Sequence, residues 1–497
     1  MKSFLGNLIK FFKSDRIKDV WTVILLFAAI HVGYIYVCNN GTDKKTIQLF
    51  MLLACLFAFI LYFFISGKED KKYKSMLSLI ITVGCIMRIG FCLYNGFFDH
   101  AHDMWYINDF SSDSKGTYLG FILINHQLPS RITGQLYQQP LSYFASAVSC
   151  WIVKPFLNTD DWYYIGGAAK LSNCLFSCLT LILTSKLSDI IKVKKYAKVI
   201  TVSIIAFMPS FYLLGGTLSE DMLSCFIILL EIYLTIKYSK DPTFKNIIIL
   251  AITYGLGLLT SLRCILPVFY TLILLAERII VYKNTKKDVF RTVSFFAVTL
   301  CLGIGGYLRN LIMFGVPFTY FYTPGEGNWT WTADRNLLDR LGFFSLKNIK
   351  STPYVNPDED CNLITYFTKT ELFGEFGFEI SEFLPYILLY IDIIFTIFVI
   401  VMIIWRFKAI LKNKFHGIIM LVTLGFGLAV MLFYLLNPFS GFMDSRYFQI
   451  MVILKALMFG MTVAGYLPEK IKKIRFYAAN ILLSLFAASS ILIFCLI

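Results

Sequence analysis

Charge is what this sequence has least of. Only 15% of its 497 residues are Asp, Glu, Lys or Arg, against about 25% in a soluble globular domain. A chain this poor in charge cannot cover itself with solvated side chains, so most of its surface faces lipid. Other absences narrow the field. No Walker loop, dinucleotide fingerprint, HExxH or GxSxG stands in a suitable setting. The 12 cysteines lie almost entirely inside apolar runs, as Cys85, Cys92, Cys174, Cys178, Cys225 and Cys301 do. Cys174 and Cys178 share a helix face without a His or carboxylate beside them, and read as small lipid-compatible residues. Only Cys38 and Cys361 are placed to meet an oxidising compartment, and no disulfide or zinc framework is visible. The net charge of +15 would suit a nucleic acid, but the basic residues are scattered in short clusters and form no basic domain, so no nucleic-acid partner is expected.

What is present is apolar and aromatic. Hydrophobic residues make up 57% of the chain, mean hydropathy is +0.68, and there are 48 Phe and 29 Tyr. Runs long enough for a hydrocarbon core of about 30 Å fall near 20–38, 46–66, 75–95, 163–184, 199–215, 222–237, 246–260, 264–282, 292–309, 384–405, 415–436, 447–466 and 476–497. The first follows a basic segment and lacks a small-residue cleavage site, so it reads as a retained span rather than a signal peptide.

Loop charge sets the direction. Lys2, Lys10, Lys13, Arg16 and Lys18 predict a cytoplasmic N-terminus. Every second connection is then basic: 68–74, 186–198, 237–245, 283–291, 406–414 and 470–475. The opposite set holds two long loops, 96–162 and 310–383, and the turns 216–221 and 437–446. The apolar stretch 141–157 resists this pattern, because counting it as a span would invert every later loop. It is therefore read as an interfacial or re-entrant helix. The expectation is an all-α polytopic membrane protein of about thirteen spans in the plasma membrane, with the C-terminus and both long loops extracytoplasmic.

Chemistry concentrates in the first long loop. The third span ends at Phe97-Phe98, and Asp99-His100-Ala101-His102-Asp103 follows. Asp99 and Asp103 are four apart, so a helix would stack their carboxylates on one face. Such a pair can take a proton from a hydroxyl or hold a divalent ion; it can equally be a solvated loop start or a helix cap. Further on stands Tyr137-Gln138-Gln139-Pro140-Leu141-Ser142-Tyr143, with Pro140 opening a helix where its missing N–H costs nothing.

A charged pair just after a span, an amphipathic stretch and an aromatic–Pro–Leu–aromatic helix resemble the GT-C glycosyltransferases. The likeness is in particular to the family of protein O-mannosyltransferases (dolichyl-phosphate-mannose dependent) and lipid A aminoarabinose transferases. The turn Leu218-Ser219-Glu220-Asp221-Met222-Leu223 resembles that family's second acidic position. Tyr307-Leu308-Arg309-Asn310 with Phe314-Gly315-Val316-Pro317-Phe318 resembles its Arg-Asn…Gly-x-Pro-Phe segment, and Ser445-Arg446-Tyr447-Phe448 its late Arg-Tyr motif. The resemblance covers residue 75 to the C-terminus and leaves two extra spans ahead of it.

It implies a GT-C-like bundle and a cell-envelope transferase, mannosyltransferase-like, moving a hexose or pentose from a polyprenyl-phosphate donor to a lipid, protein or wall-polymer acceptor. The catalytic role would fall on Asp103, with His102 beside it and Asp99 as its acidic partner. Arg309 and Arg446 would hold the donor phosphate. Glu220, Asp221, Tyr137, Gln139 and Tyr447 would complete the substrate site, and a divalent cation, if one is used, would fall to Asp99 and Asp103. The organisation expected is two extra spans and a cytoplasmic loop (1–74), a catalytic membrane module (75–313), a second extracytoplasmic loop (314–383) and a C-terminal four-span module (384–497).

There are departures. Gln138-Gln139-Pro140 stands where the family has His-Pro-Pro or Pro-Pro, and Gly116-Thr117-Tyr118 where an acidic residue or His is common. They leave acceptor and metal requirement open. A polysaccharide polymerase or ligase, or a lipid-linked sugar transporter or flippase, would share the gross features; the former would not need carboxylates beside the third span, and the latter would need polar groups through the midplane.

Other residues carry weaker signals. Arg263, in a tight outer turn, could join the phosphate-binding arginines. Arg88 and Glu231 lie within apolar runs, where Arg88 can snorkel and Glu231 sits too deep for the proposed catalysis. Glu371, Glu375 and Glu379 recur every four residues among aromatics, suggesting an interfacial helix with a solvated acidic face or a lid. Asn328-Trp329-Thr330 fits an N-glycosylation sequon.

Overall fold

The computed structural model describes residues 15–66, 69–101, 103–281, 285–320, 322, 331–342, 349–350, 352–353, 362–468, 470 and 472–497. His102, Cys361 and the sequon at Asn328 lie outside these residues. Within them the chain is all-α, with one isolated antiparallel bridge between Trp331 and Phe439.

In chain order the helices are α1 (Asp15–Asn40), α2 (Lys44–Ile65), α3 (Glu69–Tyr94), α4 (Lys115–Leu123), α5 (Leu141–Val153), α6 (Trp162–Gly167), α7 (Lys170–Ile190), α8 (Lys195–Phe207), α9 (Pro209–Gly215) and α10 (Asp221–Lys240). They continue as α11 (Phe244–Leu258), α12 (Val268–Val281), α13 (Thr285–Gly303), α14 (Gly305–Phe314), α15 (Leu337–Leu341), α16 (Leu363–Phe373), α17 (Phe383–Leu411), α18 (Lys414–Leu436), α19 (Ile450–Met461) and α20 (Lys472–Leu496).

Among the described residues, nine helices are long and apolar enough to cross a membrane. Three further pairs qualify when each is read as one bent span, and α11 is a shorter apolar helix. These fall, in order, on the thirteen apolar runs of the sequence. The chain is thus a polytopic membrane protein. Large apolar side chains on α2 such as Phe57, Phe63 and Phe64 are exposed, as lipid-facing residues are. Helix α5 has 13 residues and runs into a 3-10 turn at Lys154–Phe156; it is not among the membrane-length helices or the shorter apolar helix that accompanies them. It turns Tyr143, Ala147 and Cys150 inward and packs on α4 and α7.

The bent pairs break for identifiable reasons. Between α8 and α9 the axis turns by 48°, because Pro209 has no N–H for Ile205 and pushes Met208 into extended backbone (φ −72°, ψ 117°). Arg88 on α3 supplies the missing donors. Its Nη2 donates to Ile205 O at 2.7 Å and its Nη1 to Ala206 O at 3.0 Å and Gly84 O at 2.8 Å, while Nε donates to Ser177 Oγ at 3.0 Å. The snorkelling open to Arg88 in the sequence does not occur: it is fully buried because a broken helix needs it there. The other breaks, 50° between α13 and α14 and 58° ahead of α19, adjoin the second long loop and the turn carrying Arg446.

The two long loops meet on one face of the bundle. Arg309 donates to Pro129 O, Asn310 Nδ2 to Tyr137 O at 3.4 Å, and His100 packs between Phe376 and Phe378. Helix α4 fixes the first loop. Ser114 caps it by accepting from Thr117 N at 3.1 Å, and Gly116 and Gly120 let the backbone of Trp105 and Ile107 cross its face. A Cβ at either glycine would stand 1.9 Å from a carbonyl oxygen, so Gly116 is required by a close approach that an acidic residue or His would block.

Two local expectations are revised. Residues around Asp99 form a turn, not a helix: His100 and Asp103 have φ of 47° and 54°. The acidic repeat is not one solvated face. Helix α16 ends at Phe373 before Gly374 (φ 61°), with Glu371 buried inside it, Glu375 beyond its end and Glu379 exposed.

Candidate active site

A cavity of about 650 Å³ opens where the two loops meet the turn before α19. Asp103, Trp105, Asp113, Tyr137, Glu375, Arg446 and Tyr447 are among its lining residues. The volume lies within the roughly 300–1,000 Å³ of small-molecule sites.

Asp103 stands on the first-loop wall. Its backbone takes the left-handed conformation, and its carbonyl accepts from Lys115 N at 2.9 Å, tying it to the start of α4. Its carboxylate accepts from Gln135 Nε2 at 2.9 Å. Gln135 in turn accepts from Gln138 Nε2 at 2.6 Å, and Tyr143 on α5 donates to Gln138. Tyr143 stacks on Tyr118 with centroids 3.9 Å apart. A series of neutral groups thus runs from the packed α4–α5 pair to one carboxylate oxygen. Asp113 on the same wall pairs with Arg131 at 2.6 Å. Burial works to raise its pKa, but the hydrogen bond and charge of Arg131 hold it below the ordinary carboxylate value.

The other wall is ionic. Arg446 lies 3.2 Å from Asp444 and 3.7 Å from Glu375, and its Nη2 donates to Tyr447 Oη at 3.2 Å. Tyr366 donates to Glu375 Oε1 at 2.7 Å. Behind Tyr447, Arg263 contacts Asp221 at 2.7 Å and Glu220 at 3.5 Å. The Arg263 and Arg446 guanidiniums both pack on the Tyr447 ring, at 5.6 and 5.1 Å. Burial, followed by the neighbouring Asp221, raises the Glu220 pKa.

The residues singled out in the sequence therefore divide. Asp103, Tyr137, Arg446 and Tyr447 share the cavity, and Glu220 and Asp221 brace it through Arg263. Asp99 turns back to accept from Gly96 N at 3.1 Å, away from Asp103. Arg309 is held by Pro129 O and Asn310 and stands outside the lining. Gln139 is buried against Gly306 at the α13–α14 break, its Oε1 without a hydrogen-bond partner among the described residues. No three His, Cys, Asp or Glu side chains converge as metal ligands among those residues.

Sequence reasoning passed over Trp105, Gln135 and the cavity position of Glu375. It also passed over Lys455 and Asp392, charged residues inside the runs 447–466 and 384–405. Lys455 Nζ lies 2.6 Å from Glu371, 2.8 Å from both Asp392 oxygens and 3.1 Å from Thr396 Oγ1. This cluster fastens α16 to α17 and α19. A lysine amid Ile, Leu and Met was the available signal.

The chain is thus an all-helical membrane protein whose two long loops enclose a carboxylate- and arginine-lined cavity. No known family profile matches it, and no curated protein matches its sequence. Among solved structures it is similar to the Archaeoglobus fulgidus oligosaccharyltransferase. The apo form matches with a TM-score of 0.47 and 13% identity, over 85% of this chain and 56% of the other. The zinc and sulfate complex of the same enzyme matches with a TM-score of 0.39 and 12% identity, over 83% and 53%. The chain spans about half the length of the protein it matches.

Proposed function

We propose that this protein is a membrane glycosyltransferase of the GT-C kind, transferring a sugar from a polyprenyl-phosphate donor to an acceptor hydroxyl at the extracytoplasmic face. The observation that carries the reading is the unequal pairing of the cavity carboxylates. Asp113 faces Arg131 and Glu375 faces Arg446, whereas Asp103, among the described residues, meets only the neutral amide of Gln135. A carboxylate that faces the cavity and is not already tied to a cation can serve as general base to an acceptor hydroxyl within hydrogen-bond reach.

In this reading the acceptor oxygen attacks the anomeric carbon and its proton passes to Asp103. The bond from that carbon to the phosphate oxygen breaks, and the polyprenyl phosphate leaves with the electron pair beside Arg446, whose planar fork suits phosphate oxygens. Displacement from one face inverts the configuration. Trp105, Tyr137 and Tyr447 supply apolar faces for the sugar ring.

Asp103→Asn tests this. It preserves shape and can still bond Gln135 but cannot take the proton. Transfer from a polyprenyl-phosphate sugar, measured with the purified, folded variant, is expected to fall roughly 10²–10⁴-fold. Full activity would refute the assignment.

A further inference from the structure

Among the described residues two carboxylates lie within ion-pair distance of Arg446, and they are not equivalent. Asp444 is fully buried and also accepts from Arg446 N at 2.9 Å, so it belongs to the turn itself. Glu375 lines the cavity. Its oxygen is the more distant of the two, 3.7 Å from the guanidinium against 3.2 Å for Asp444. Glu375 comes from the second long loop, just beyond the end of α16, and is steadied by Tyr366.

We propose that Glu375 is a resident counter-ion: it occupies the anion position at Arg446 in the unliganded protein and yields it to a phosphate monoester. The inference rests on the reading of Arg446 as the phosphate ligand. Two observations support an exchangeable role rather than a structural one. Helix α16 is anchored without Glu375, by the Glu371–Lys455–Asp392 cluster and by Ser445 N donating to Thr370 Oγ1 at 2.9 Å. Arg446 keeps Asp444 and the Tyr447 ring when Glu375 withdraws, so the guanidinium stays placed for the incoming anion. The exchange moves no proton and makes no bond. The Glu375 carboxylate then lies beside the bound phosphate, and the like charges weaken binding of phosphate and favour release of the polyprenyl phosphate after transfer.

The consequence has an unusual sign: removing an acidic residue from the cavity tightens ligand binding. A unit charge about 6 Å from the phosphate at an effective dielectric of roughly 40 alters the binding constant about tenfold. Binding of farnesyl phosphate and of inorganic phosphate is measured on the full-length protein in detergent, for wild type, Glu375→Gln and Arg446→Met. Glu375→Gln retains an acceptor for Tyr366 and is expected to bind farnesyl phosphate about tenfold more tightly. A gain for farnesyl phosphate alone assigns the site to the lipid-linked ester, and a gain for both probes assigns it to phosphate in general; either supports the inference. Unchanged or weaker binding in Glu375→Gln, with binding lost in Arg446→Met, overturns the counter-ion role while the phosphate reading stands. Wild-type binding in Arg446→Met removes the phosphate reading, and the inference with it. Should Glu375→Gln not fold, Tyr366→Phe releases the same carboxylate from its tether, and a gain of about threefold is expected; no gain there counts against the proposal equally.

Discussion

On the first-loop wall Asp103 is met by an amide, with the Asp113–Arg131 pair beside it, whereas on the other wall two arginines are met by four carboxylates. Asp103 is aimed by Gln135, Gln138 and Tyr143, none of which carries charge. Arg446 and Arg263 are set among Glu375, Asp444, Asp221 and Glu220. A neutral partner fixes a carboxylate's direction without committing it to a cation, so it stays open to an acceptor hydroxyl. An ion pair fixes both position and charge, and yields only to a competing ion. The first wall therefore suits proton transfer and the second suits anion binding. Each can be disturbed separately.

The largest effect on stability is expected where the ionic wall reaches deepest. Lys455→Met leaves Asp392 and Glu371 buried without their cation. Breaking such a cluster from one side costs about 3–5 kcal/mol, so the thermal midpoint in detergent should drop sharply or the protein should fail to fold. The combined replacement Lys455→Met, Asp392→Leu and Glu371→Met removes all three charges and is expected to recover most of the loss, since apolar groups of similar size are often no worse in such positions. A triple variant as unstable as the single one would mean that the cluster specifies the packing of α16, α17 and α19 and does not merely satisfy its own charges.

The neutral wall depends on backbone packing instead. Gly116→Ala places a methyl group against the Trp105 carbonyl, where neither backbone can retreat far because Asp103 O is bonded to Lys115 N. Overpacking of this kind costs about 1–3 kcal/mol. The expected result is a lower thermal midpoint, together with reduced transfer because Asp103 shifts. A stable, fully active Gly116→Ala would show that the loop adapts and that Asp103 is not held by α4.

How far the sequence revealed these walls depends on the kind of signal each leaves. Spans are legible because the bilayer demands about 20 apolar residues, and the expectation that 141–157 does not span rests on loop charge. Asp103, Tyr137, Arg446 and Tyr447 could be picked out because motifs record side chains. What could not be read is what the tertiary structure decides. Asp99 and Asp103 look like helical neighbours at a spacing of four, yet left-handed backbone at His100 and Asp103 separates them. Glu371 and Glu375 share that spacing too, but Gly374 ends the helix between them and sends one into an ion cluster and the other into the cavity. Arg88 gave the correct warning, a charge in an apolar run, but its partners are carbonyls exposed by a proline 121 positions later, a relation no local pattern carries.

The smallest effect is expected from the group that most directly defines the neutral wall. Gln135→Leu deletes the hydrogen bond to Asp103 and the one accepted from Gln138. A neutral hydrogen bond to a charged group contributes about 1.5–3 kcal/mol when buried, and less here because Asp103 is exposed; a loss of about tenfold in transfer is expected, carried by kcat rather than by KM for the donor. Rescue by a second N–H donor supplies the sharper readout. Gln135→His keeps a side-chain N–H donor near Asp103 and should recover part of the loss in kcat. If Gln135→His is no more active than Gln135→Leu, Gln135 serves packing only. The distinction between a wall that orients a base and a wall that holds an anion would then have to rest on the ionic side alone.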